Sequence, residues 1–132
     1  MTVKKFWATI FALILLTATA HAQIQTYTGS GEYLLTDEHI DFAKSLAAIS
    51  AERNILEKIC VYVKGDSTMI DNELDNDEVI SICAGILHVT DTKFKIVEDA
   101  DGILVKSIVT AQVDIDELET LLKQAIAERI KR

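Results

Sequence analysis

A chain of 132 residues with a formal net charge of −8 is an acidic polypeptide of single-domain size. That charge repels phosphate backbones and anionic lipid surfaces, which sets nucleic-acid and membrane-surface binding aside. An apolar content of 49% with clear periodicity and no proline excludes a disordered chain.

The first segment reads as a secretory signal. Lys4 and Lys5 precede an apolar run from Phe6 to Leu16, and Ala20-His21-Ala22 fits a small-x-small cleavage site. Residues 6–22 fall short of the roughly 20 apolar residues that a spanning helix needs. The expected mature chain starts at Gln23, has 110 residues, and loses only Lys4 and Lys5 among charged groups, so its net charge becomes −10. No cysteine follows the cut, so no lipid anchor is expected by that route. The chain thus divides into a signal peptide, 1–22, and one α+β domain, 23–132, placed in the periplasm or secreted, with no membrane insertion after cleavage.

Residues 24–35 predict a strand with Tyr27, Gly29, Gly31, Tyr33 and Leu35 on one face. Thr36 is the expected N-cap of a long helix that runs to about Tyr62, with Asp37 and Glu38 in its first turn. Ile40, Ala43, Ala47, Ala51, Ile55 and Ile59 form its apolar stripe, widened by Leu46 and Ile49. The small residues in mid-stripe predict a close seat against the two strand glycines. After Gly65-Asp66-Ser67 and an acidic connection, 77–84 predicts a short helix with Asn76 as cap and Gly85 just past its end.

Residues 86–97 and 103–115 predict a β-hairpin around Asp99-Ala100-Asp101-Gly102, with the glycine supplying positive φ. In the second strand Ile103, Val105, Val109, Ala111, Val113 and Ile115 alternate with Lys106, Thr110, Gln112 and Asp114, one side buried and one wet. A last helix over about 116–131 carries Leu118, Leu121, Leu122, Ala125 and Ile126 on its apolar side, and Asp114 with Glu117 suggests a capping box. Cys60 and Cys83 are an even pair in an exported chain, which predicts a disulfide docking the short helix on the long one. The alternative is two buried thiols acting as small apolar side chains.

Four stretches taken together resemble a known family: Gly29-Ser30-Gly31-Glu32, the run from Ala43 through Ala47 to Ala51, Ile80 to Gly85, and Ile108 to Asp114. They are similar to the N-terminal domain of the flagellar assembly protein FlgT and related small outer-membrane lipoproteins. The resemblance covers about residues 24–120. It implies a dodecin-like fold, a three-stranded antiparallel sheet wrapped around one long helix, with a short extra helix and a C-terminal helix here. It implies architectural roles for Gly29, Gly31, Ala43, Ala47, Ala51 and Gly85, and an envelope protein with structural or assembly duties. Two departures from the family pattern, the missing attachment cysteine and a single domain, leave open whether the role is flagellar.

No residue pattern demands chemistry. The run Asp71 to Glu78 is rich in carboxylates, but lacks the glycine and distal glutamate of a calcium loop, and reads as a solvated, helix-capping segment. His39 and His88 have no ligands at metal spacing, and Gly29-Ser30-Gly31 lacks the lysine and following helix of a phosphate loop. Cys60 has a more natural partner in Cys83 than in a histidine, and Asp91 with Asp114 form no activated pair. The expectation is a non-enzymatic module without cofactor or metal. It binds another envelope protein or itself; a small-molecule binder with a pocket between the long helix and the sheet is the second reading.

Overall fold

The computed structural model describes residues 23–66 and 74–131. The segment expected to be a signal peptide, most of the connection after Gly65, and Asp71 to Glu73 of the acidic run lie outside the described residues. The order of elements is β1 (Ile24–Leu35), α1 (Ile40–Gly65), α2 (Asn76–Ile86), β2 (His88–Asp99), β3 (Gly102–Asp114) and α3 (Ile115–Ile130). The strands form one antiparallel sheet in the order β1-β3-β2. This is the expected α+β arrangement of a three-stranded antiparallel sheet and a long helix, with α1 lying across β1 and β3 on one face of the sheet.

The approach of α1 to β1 is set by side-chain size. Ala43, Ala47 and Ala51 are fully buried on the helix, and Gly29 and Gly31 are buried on the strand. A methyl group added at Gly31 would run into the backbone at the Ala47 carbonyl and the Ala51 amide. One added at Gly29 would meet the Ala51 carbonyl and lie 2.6 Å from Ile55 Cγ1. Helix backbone therefore rests on strand backbone, a separation that any side chain on β1 would prevent.

Below this seat the helix switches to larger residues. Ile55, Ile59 and Val63 meet Val109, Ala111 and Val113 of β3, and Val79 and Cys83 of α2 and Leu118 and Leu122 of α3 close the core. At the other end Ala43, Ala47 and Val105 make a smaller cluster with Tyr33 and Leu35. The stripe is narrower than the sequence pattern implies. Ile40 and Ile49 are exposed, because the alanine seat turns the helix so that its flanks face away from the sheet.

Helix starts differ from expectation at two of three places. Thr36 does not cap α1: its amide and hydroxyl both donate to Glu38 Oε2, at 3.2 and 2.8 Å, and Tyr33 Oη donates to Glu38 Oε1 at 2.9 Å. Those bonds hold the Glu38 carboxyl below its ordinary pKa, the Thr36 side chain first and Tyr33 second. The turn consumes the capping group, and the helix begins after His39. In α2 the cap is Asp75 rather than Asn76, its carboxylate accepting from the Glu78 amide at 2.8 Å. In α3 Asp114 caps as expected, accepting from the amides of Asp116 and Glu117. Gly102 has φ 127°, as the hairpin turn requires.

Two further expectations are corrected. Cys60 and Cys83 form no disulfide; they are free thiols, both buried where α1 meets α2. Burial first, and the neighbouring Cys60 second, push the Cys83 thiol up to about 12. Both thiols pack in the core as small apolar side chains, the alternative that the sequence left open. Gly85 has no packing role: it lies inside α2 and exposed, and a side chain there meets nothing within 4 Å.

Candidate functional site

The residues that suggested chemistry are dispersed. His39 precedes α1 and His88 opens β2, and no group of three metal-ligating side chains converges among the described residues. Asp114 is occupied as a helix cap, and Asp91 lies 3.9 Å from Lys93 on the sheet surface. Glu78, the last acid of the acidic run, pairs with Arg129 at 3.0 Å and ties α2 to α3. Gly29-Ser30-Gly31 is strand, with its glycines under α1. The pocket expected between the long helix and the sheet is closed at the glycines, where the two backbones touch. Among the described residues no helix is long and apolar enough to cross a membrane.

What stands out is the contrast between the two edges of the sheet. On β1 the free edge is blocked by the same helix that covers its face. Lys58 Nζ donates to the Thr28 carbonyl at 2.6 Å, and the Ser30 amide donates to Asn54 Oδ1 at 3.3 Å. Asn54 and Lys58 are one helical turn apart, so a single row of α1 serves both strand groups. Two of the main-chain groups that would template another strand, the Thr28 carbonyl and the Ser30 amide, are thereby engaged.

Among the described residues nothing comparable occurs on β2. The strand is 12 residues long and, among the described residues, pairs with β3 alone. Its register puts Val89, Thr92, Phe94 and Ile96 opposite Ala111, Val109, Ser107 and Val105, on the helix-bearing face of the sheet. On β3 those positions are buried; on β2 they are open, with Phe94 at 41% and Ile96 at 44% exposure. The helix covers β1 and β3 and stops short of β2. Lys44 of α1 reaches across, its ammonium 5.6 Å from the centre of the Phe94 ring, a cation–π contact.

The opposite face carries all the cations of the sheet. Lys93 and Lys95 of β2 and Lys106 of β3 line a hollow of about 210 Å³ with Ser30, Glu32 and Ile108, floored by the backbone of Gly31, Ser107 and Phe94. Lys106 is 3.7 Å from Glu32. Lys95 has no ion pair among the described residues and stands opposite Lys106. On a chain of net charge −8 this is a local positive spot.

Sequence reasoning expected a buried and a wet face, and assigned neither the open strand nor the lysine triplet. The one signal present was the alternation of Lys93, Phe94, Lys95 and Ile96 in the first hairpin strand. No protein-family model matches the chain, and no curated protein matches it at a significant level.

Proposed function

We propose that the chain is a non-enzymatic module of the cell envelope that holds another protein by strand addition at β2. The observation that carries this reading is the asymmetry of the sheet. On β1 two edge main-chain groups are held by Asn54 and Lys58, while β2 has no such bond among the described residues and leaves its apolar inner residues open. A long, exposed edge strand with uncovered apolar side chains is a docking element or an aggregation hazard. The signal-like segment before Gln23 supports export, and the resemblance to the FlgT N-terminal domain and its lipoprotein relatives supports an assembly role in that compartment.

A photo-crosslinking amino acid placed at Thr92 on β2, and separately at Thr28 on β1, tests the reading in cells. The expected result is a discrete protein adduct from the Thr92 position and none from Thr28. Adducts from Thr28 alone, or from neither, would overturn it.

A further inference from the structure

We infer that the partner of β2 is an extended acidic segment in which two carboxylates flank an apolar residue. The inference rests on β2 being the docking strand and adds the chemistry of what docks there.

A strand added to β2 alternates its side chains across the two faces of the sheet. On the helix-bearing face it meets Phe94 and Ile96, which favour apolar neighbours. On the opposite face it meets Lys93 and Lys95, two residues apart. The hollow beside these lysines gives room for an acidic side chain to lie along their stems, and Lys95 has no ion pair there to displace among the described residues.

A second copy meets like charges in the registers centred on Phe94 and Lys95. Two copies joined antiparallel through β2, about a twofold axis normal to the sheet, keep their lysine-bearing faces on the same side. Registers centred on Phe94 and Lys95 then set Lys93 against Lys95 and Lys95 against Lys95, whereas registers centred on Thr92 or Lys93 bring Asp91 opposite Lys93 or Lys95. Like charges directly opposite are destabilising in an antiparallel pair. The same lysines that oppose self-pairing in the registers centred on Phe94 and Lys95 favour a strand with carboxylates at alternate positions.

The test uses the purified protein, as processed by the cell, labelled with nitrogen-15. Blocked peptides alternating valine with glutamate, with serine or with lysine are titrated in, and backbone amide shifts are followed. The glutamate peptide is expected to shift amides of residues 88–99, to bind about tenfold more tightly than the serine peptide, and to weaken as salt is raised. The lysine peptide is expected not to bind. In the double variant Lys93→Glu, Lys95→Glu the preference should invert, whereas Lys123→Glu on α3 should leave it unchanged. Equal binding of the glutamate and serine peptides at β2 would overturn the acidic preference and leave the docking strand standing. Failure of every peptide to move β2 amides would overturn both. Concentration-dependent dimerisation through β2 would make a second copy its occupant and overturn the acidic segment as partner.

Discussion

Lys95 of β2 stands directly opposite Lys106 of β3 on the face of the sheet away from the helix, and only Lys106 has a carboxylate beside it, Glu32 at 3.7 Å. A cross-strand pair of like charge is retained at a small cost in stability. Replacing Lys95 with Glu converts it into an opposite-charge pair. Lys95→Glu is expected to stabilise the fold by about 0.5 kcal/mol while weakening the acidic peptide. Urea melts and the peptide titration, run on the same variant, read the two effects separately. A loss of both stability and binding would mean that Lys95 serves the fold rather than a partner.

The contact between Gly31 and α1 is the tightest seat in the molecule. Gly31→Ala drives a methyl into the backbone at Ala47 and Ala51, which no rotamer change relieves. The expected loss is about 3 kcal/mol, the upper end for overpacking, and a drop in melting temperature of roughly 10 °C or more. Ala47→Leu, from the helix side, should cost about 1–3 kcal/mol. Gly85→Ala is the control: the added methyl meets nothing, and alanine favours a helix over glycine by about 1 kcal/mol, so that variant should melt higher.

Ser107 is buried in the sheet between Gly31 and Phe94, and its hydroxyl has no hydrogen-bond partner among the described residues. A buried hydroxyl left unsatisfied costs about 1–3 kcal/mol. Ser107→Ala keeps the small volume that the helix seat requires and removes the orphan group. It should raise stability by about 1 kcal/mol in denaturant titration, and a destabilised variant would indicate that the hydroxyl is bonded in solution.

Alkaline pH should weaken the fold through Cys83 and Tyr27. Burial, then Cys60, raises the Cys83 thiol from 9.0 to about 12; burial, then Tyr62 and Cys83, raises Tyr27. A raised acid keeps its proton in the folded protein at pH values where the unfolded chain has released it. Its contribution to stability is therefore complete below pH 9 and is lost as pH climbs from 9 toward 12. Cys83→Ala should flatten that decline in urea melts taken across the alkaline range, at a cost of about 1 kcal/mol at neutral pH for the lost packing. An unchanged slope would assign the alkaline loss to other groups.

The order of strands and helices, the hairpin turn at Gly102 and the alanine–glycine seat are all legible in the sequence, because each follows from local periodicity or from residue size. Alternation in β3 reports a buried face directly, since the central strand is covered from one side along its whole length. Helix caps are less legible. Thr36 and Asn76 have the right chemistry to cap, but Glu38 captures the first and Asp75 precedes the second, choices made by neighbours only one or two residues away.

The candidate site was the least legible part, and the reason is geometric. A strand written Lys-Phe-Lys-Ile looks half-buried by its pattern, yet whether Phe94 is covered depends on how far α1 reaches across the sheet. By itself the sequence determined a one-domain α+β chain with a small-residue contact between its long helix and its first strand. Tertiary structure alone decided that this contact draws the helix over β1 and β3, spends Asn54 and Lys58 on one edge, and leaves β2 open. A helix held that close by glycines cannot also span the third strand, so the free edge follows from the packing and not from any residue on β2.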